Sequence, residues 1–354
     1  MEMKLSKKNI FHIAGAFIAW VIGSGFATGQ EVLQFFSSFG YWSYGVVGIN
    51  LIGFMVVGYL LMKTGLEHKT DGTFHHFQYF CGRRLGTVYS WLITGTLMLL
   101  IPVLLSGAGA TLYEYYGINK YLGSAVMALL VLIAYLIGFE RLIKIVSSVG
   151  PIIIAFSLLV GSATVICDYQ QFVNVPEYAR NLSSNQSAPN WILSGILYLG
   201  LNFFPGSTYF TQLGRSSFSK KELRYGAVIG ASVLILSITI MSTAILLNGN
   251  ATGGLDIPVL YLARKLSYVL GAVFSITLIL GIFSSCSVMM WSVCSRFTFG
   301  GKRGNVAGSI GVIAAAYIIS LFSFGRLVSV FYPIVGYIGL IFIGCVIYQG
   351  MKKK

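Results

Sequence analysis

The residues of this chain that can do chemistry at membrane depth cluster in three short stretches. The first is Gly23-Ser24-Gly25-Phe26-Ala27-Thr28-Gly29-Gln30-Glu31, with three glycines in seven residues, two hydroxyls, an amide and a carboxylate. The second is Gly200-Leu201-Asn202-Phe203-Phe204-Pro205-Gly206-Ser207, and the third is Ser284-Ser285-Cys286-Ser287. These groups bind rather than react. Hydroxyl and carbonyl oxygens suit hard cations. Unpaired amides at a helix start suit a carboxylate. A lone carboxylate in lipid balances a cation or carries a proton. No stretch supplies HExxH or a Ser/His/Asp set. His12, His68, His75 and His76 form no zinc motif, and the five cysteines show no ligand spacing. The sequence therefore points away from an enzyme and implies no resident cofactor.

The cysteines, Cys81, Cys167, Cys286, Cys294 and Cys345, read as small packing residues. His75 and His76, in a polar loop with Glu67, His68, Lys69 and Asp71, read as a solvated face. Glu31 has two readings. Thr28-Gly29-Gln30-Glu31 fits the S/T-x-x-E capping box, in which Glu31 closes a helix start. It also fits a residue coupled to substrate or proton.

The elements around these stretches are apolar. The chain has 354 residues, 56% hydrophobic and 10% charged, with a mean hydropathy of +0.80. Soluble domains carry about 25% charged residues. Ten apolar spans are expected, at 10–39, 42–63, 85–114, 120–138, 142–167, 191–213, 224–248, 268–295, 305–323 and 327–349. All read as helices, in one domain over 1–354. The basic start, Met1 to Lys8, has no small-residue cleavage site after it and is expected to be retained.

The net charge of +14 sits in short loops, which argues against nucleic acid. Of 24 Lys and Arg residues, nineteen fall on the termini and one set of alternate loops. The other side holds five: Lys120, Arg180, Arg264, Lys265 and Arg326. Both termini are thus expected in the cytoplasm. Two external connections are long, 167–190 and 248–265. The second contains Ile257-Pro258-Val259-Leu260-Tyr261-Leu262-Ala263, too short to span and expected to pack as a partial lid.

The first two stretches interrupt spans one and six. Ile10–Ile22 is too short to cross a bilayer, which takes ~20 residues, and glycine costs about 1 kcal/mol in a helix interior. In span six, Pro205 removes a donor and Gly206 permits a bend. Both are therefore expected to unwind, at Gly23–Gly29 and Gly200–Gly206, with their polar backbone facing protein or a wet cavity. Span six is span one plus five. The halves 10–167 and 191–349 thus form five-span repeats, the second inverted, and matched interruptions point to a transporter site at the midplane.

Five plus five inverted spans with breaks in helices 1 and 6 resemble the LeuT-type fold of the amino acid–polyamine–organocation superfamily. The stretch Gly23–Glu31 resembles more narrowly the YkvI-like membrane proteins, which are classed as amino acid permeases. The resemblance implies an integral protein of the bacterial cytoplasmic membrane that moves a small amino-acid-like or amine solute by alternating access. The freed amides around Gly23–Thr28, with half-helix 1b starting near Thr28–Gln30, would hold a carboxylate, as would half-helix 6b near Gly206–Ser207. An ammonium would meet carbonyls of Asn202–Phe204 and of the helix-1 break, with Phe26, Phe203 and Phe204 shaping the pocket. Ser284 and Ser285 resemble the helix-8 hydroxyls of a sodium site. Some proton-coupled relatives carry a mid-helix-5 lysine; here Val146–Ile152 has none and Lys144 lies at the cytoplasmic helix end, which favours Na+ over H+. The implied partners are the solute, the coupling cation and lipid. A transporter-fold sensor for a similar ligand is the alternative, and oligomeric state stays open.

Overall fold

The computed structural model describes residues 5–69, 74–137, 149–297 and 302–352. Among them there is no strand. Fifteen α-helices are described, joined by short 3-10 turns. The expectations on Asp71, Lys144 and the 146–148 part of span five lie outside the described residues.

The first span is in three pieces: α1 (Lys7–Val21), α2 (Ser24–Thr28) and α3 (Gln30–Phe35). Then come α4 (Ser43–Glu67), α5 (His76–Tyr116), α6 (Lys120–Ile137) and α7 (Val149–Cys167). A surface helix, α8 (Val175–Leu182), precedes α9 (Trp191–Arg215) and α10 (Lys220–Leu247). The short α11 (Gly249–Thr252) and α12 (Pro258–Leu266) lead into α13 (Tyr268–Cys294), α14 (Lys302–Ser320) and α15 (Phe324–Lys352).

Six described helical stretches are by themselves long and apolar enough to cross a membrane. They are Ser37–Glu67, His76–Tyr116, Lys120–Ile137, Lys220–Leu247, Tyr268–Cys294 and Phe324–Lys352. The other expected spans fall on α1–α3, on α7, on α9 and on Gly304–Ser320. Past Cys167 the chain bends by 80° into the surface segment Tyr169–Asn185.

α9 packs between α4 and α15, α1 lies along α10, and α13 crosses α5 and touches α2. The core where α1, α4 and α9 meet is aromatic. Phe17 contacts Phe54 and Phe210, with centroids 6.3 and 4.9 Å apart, and Phe203 packs on Phe54 at 5.0 Å.

Span six departs from expectation. α9 is helical from Trp191 to Arg215, straight through Gly200–Gly206. Its glycines serve close approach instead. A Cβ on Gly200 would stand 2.3 Å from the carbonyl oxygen of Gly336 on α15, and one on Gly206 would stand 2.4 Å from Trp20 Nε1. Small residues let membrane helices touch backbone to backbone. Pro205 still leaves the Leu201 carbonyl without its helical donor.

The loop before α5 is less solvated than expected. His76 Nε2 lies 3.1 Å from Ser207 Oγ, His68 stacks on Phe74, and Lys69 donates to the Ser217 carbonyl at 3.0 Å. Of the cysteines, Cys286 and Cys294 are buried, Cys81 and Cys345 half-buried and Cys167 exposed, all with free thiols.

Candidate functional site

The break in the first span has two joints around one helical turn. α1 ends at Val21; Ile22 leaves the helix and Gly23 is extended, with its N–H reaching back only to the Val21 carbonyl at 3.0 Å. Ser24–Thr28 then closes a turn, so the amides expected to be free across Gly23–Thr28 are partly used within it. The second joint is Gly29, at φ +88, a left-handed conformation that side chains rarely adopt. α3 starts at Gln30, inside the expected Thr28–Gln30.

The capping box does not form. Thr28 Oγ1 accepts the Gln30 N–H at 3.3 Å and donates to the Gly25 carbonyl at 2.6 Å. Glu31 instead folds back over the break, because Gly25 has no side chain there. A Cβ on Gly25 would fall 1.8 Å from Glu31 Oε1 and 3.0 Å from the Tyr332 hydroxyl. The carboxyl faces the hydroxyls of Tyr198 and Tyr332, is 9% exposed, and forms no ion pair among the described residues. Tyr198 is fully buried beside Glu31 and Asn202, yet its hydroxyl makes no hydrogen bond of good geometry.

This break opens onto a cavity of about 620 Å3. Its walls bring together Gly23, Gly25, Glu31, Asn202, Ser284 and Ser285, six of the expected site residues, from α2, α3, α9 and α13 and the first joint. Ser24 starts α2 beside them. Six other expected residues stay off the wall. Phe26 and Ala27 are sealed in the core, Phe203 packs on Phe54 and Phe210, and Phe204 packs on Phe77, Tyr89 and Phe342. Gly206 backs Trp20 rather than starting a half-helix. Thr28 is bonded within its own turn. The reason is the intact α9: on a continuous helix, Phe203 and Phe204 point away from the face that carries Leu201, Asn202, Pro205 and Thr208 to the cavity.

Residues that the sequence did not single out complete the wall. Trp20 and Tyr209 stack at 5.1 Å, and the Trp20 indole donates to the Asn202 carbonyl at 3.2 Å. Tyr332 comes from α15. Tyr332 precedes Pro333 inside an apolar helix, the one sequence signal that marked it. Asn202 Nδ2 donates to the Tyr198 carbonyl at 2.9 Å. From the break the cavity runs past Thr208, Gln212 and Ser292 to Arg296, whose guanidinium donates to the Ser90 carbonyl and, at 3.1 Å, to Thr94 Oγ1.

The other face of the break is sealed. α12 lies across it, with Pro258, Val259, Leu260, Leu262 and Ala263 buried, as the expected lid. Val259 sits against Gly29, where a Cβ would meet Val259 Cγ2 at 2.7 Å and its backbone N at 3.1 Å. Gln30 donates to the Leu255 carbonyl at 2.6 Å, and Gln34 donates to Gln30 and to the Gly325 carbonyl. Glu114 accepts the N–H groups of Asp256 and Ile257 at 2.7 and 3.2 Å. Among the described residues, no group of three His, Cys, Asp or Glu stands close enough to hold a metal.

A bundle whose first helix breaks beside a cavity shared with the sixth, eighth and tenth spans has known counterparts. Over a 368-residue alignment the chain is 27% identical to the uncharacterized membrane protein YkvI of Bacillus subtilis, covering 99% of both. It is 21% identical to the uncharacterized protein YyaD of the same organism, over 94% of this chain and 95% of that one. No family model matches. Among solved structures, a mutant of the manganese transporter of Eremococcus coleocola superposes with a TM-score of 0.55 at 15% identity, over 98% of this chain and 78% of that one. Mhp1 in its inward-facing conformation superposes at 0.59 with 12% identity, over 96% and 75%. The fold is of the LeuT type. With this fold and its apolar spans, the chain is an integral membrane protein.

Proposed function

We propose that the chain is a secondary transporter of the bacterial cytoplasmic membrane, moving a small solute that carries an amino group by alternating access. The carrying observation is the asymmetry of the helix-1 break. On one face the break is covered by α12, and on the other it opens to a cavity ending at Arg296. A permanent pore would be open on both faces, and a site open to one side is what alternating access requires. The distribution of Lys and Arg puts Arg296 and both termini in the cytoplasm, so this conformation faces inward. The similarity to transporter structures, one of them inward-facing, supports the same reading.

In this reading the repeats are 10–167 and 191–349. The solute sits at Gly23, Gly25, Asn202 and Glu31, with Trp20 and Tyr332 added to the expected set. Na+ is the coupling ion, held by Ser284 and Ser285 with carbonyls of the helix-1 break, since hydroxyl and carbonyl oxygens suit a hard monovalent cation. Uptake into proteoliposomes tests it. Labelled solute should accumulate when a sodium gradient is imposed and stop when the gradient is collapsed. Accumulation that follows a proton gradient with sodium absent would remove Na+, and no accumulation of any bound solute would remove transport.

A further inference from the structure

The cavity carries a carboxyl group with no cationic partner among the described residues, and its surroundings say what it takes. Glu31 is 9% exposed and forms no ion pair among the described residues. Leaving a carboxylate unpaired at this depth is costly, so a cation is expected against it in some step of the cycle. Two phenols stand beside it, Tyr332 and the fully buried Tyr198, and the Tyr198 hydroxyl makes no hydrogen bond of good geometry.

A carboxylate on the solute has no comparable seat. Among the described residues Arg296 is the only Lys or Arg on the cavity wall, and its guanidinium already serves Ser90 and Thr94 at the mouth, over the Trp91 ring. α2 and α3 have five and six residues, too short for a helix terminus of useful charge. Glu31 itself would repel an anion.

The cavity is larger than a bare ion needs. Its volume of about 620 Å3 suits an organic molecule, and no group of three His, Cys, Asp or Glu stands together among the described residues. One wall is aromatic, with Trp20 fixed by its bond to Asn202 and stacked on Tyr209. Aromatic faces attract ammonium groups and cover apolar bodies.

We infer that the solute is a net cation, a primary amine on a compact apolar body without a carboxylate, whose ammonium pairs with Glu31 and whose body lies along Trp20 and Tyr209. This rests on the proposed transport only for the location of the site; binding is tested apart from movement. The purified full-length chain is titrated with phenethylamine, L-phenylalanine and 3-phenylpropionate, which share one body and differ in charge, in NaCl and in KCl, following melting temperature and Trp fluorescence. Phenethylamine should bind, phenylalanine should bind about tenfold more weakly, equivalent to 1.4 kcal/mol, and phenylpropionate should not bind. Glu31→Gln should lower phenethylamine affinity by at least that factor while the unliganded melting temperature holds. Tyr332→Phe should lower it less, and it reports on the site if the glutamine variant does not fold. Phenylalanine binding as tightly as phenethylamine overturns the inference, as does amine binding unaltered in Glu31→Gln. So does the failure of phenethylamine, pentylamine and 1,5-diaminopentane alike to bind the folded wild type. Uptake separates the two proposals. Amine bound but never moved into proteoliposomes sinks transport and leaves the amine site; phenylalanine moved in preference to amine does the reverse.

Discussion

At the α12 face of the helix-1 break, Gln30, Gln34, Glu114 and Asp256 bond to one another or to backbone groups. At the cavity face, Glu31, Asn202, Ser284 and Ser285 line about 620 Å3 of open space. The two faces belong to the same few residues of chain and differ in what covers them. Where a lid helix lies against them, these polar groups bond mostly to protein, with only Gln34 Oε1 among the four residues left buried without a partner. Where none does, they border open space, Asn202 still held by its bond to the Tyr198 carbonyl. Gly29 divides the faces: its left-handed turn sends Gln30 to the lid and lets Glu31 fold back to the cavity.

The comparison breaks most readily at that residue. Gly29→Ala would strain a left-handed position by about 1–2 kcal/mol and push on the Val259 backbone, lifting α12. Uptake should fall by about tenfold or more if the lid-closed state loses that energy. A cysteine placed at Val259, in a chain with Cys167→Ser, should label faster with a membrane-impermeant maleimide. Labelling at the wild-type rate would show that Gly29 does not hold the lid.

Gly25→Ala probes the cavity face. Its Cβ would occupy the place of Glu31 Oε1, so solute affinity should drop by several-fold to about tenfold, or ~1 kcal/mol, while lid labelling stays at the wild-type rate. Unchanged affinity would mean that the carboxyl position seen here is not the working one.

Glu114→Ala is expected to be milder. It removes the acceptor of two N–H groups in a half-buried place, costing about 1 kcal/mol. The readout is faster labelling at Val259 with solute affinity in detergent unchanged, and a loss of affinity would contradict the separation of the two faces.

Ser284→Ala should have the smallest effect, a rise of about two- to threefold in the sodium concentration for half-maximal uptake, the size of one hydroxyl contact of ~0.5 kcal/mol. The order of competing solutes should not change; if it does, Ser284 contacts solute and not the cation.

Much of this arrangement is written locally. Glycine density at Gly23–Gly29 weakens a helix locally, because backbone entropy and missing side chains act residue by residue. The lid at Ile257–Ala263 is legible from an apolar run too short to span, and the all-helical membrane fold from apolar runs of membrane length. Gly200, Pro205 and Gly206 look alike in sequence and behave differently in space. Their glycines allow α15 and Trp20 to come close, and the gain from that packing keeps α9 helical. Whether a glycine marks a bend or a contact depends on a partner far along the chain, which no local pattern contains.

The sequence by itself determined that a carboxylate, an amide and a set of hydroxyls lie at membrane depth beside a broken helix, since hydropathy and glycine spacing act over a few residues. Only the tertiary structure decided that Glu31 leaves its helix start and turns to Tyr198 and Tyr332, that Phe26, Phe203 and Phe204 pack away from the cavity, and that Trp20 and Tyr209 form its wall. Those outcomes depend on which faces of α1, α9 and α15 meet. Helix packing sets that by the fit of side chains hundreds of residues apart.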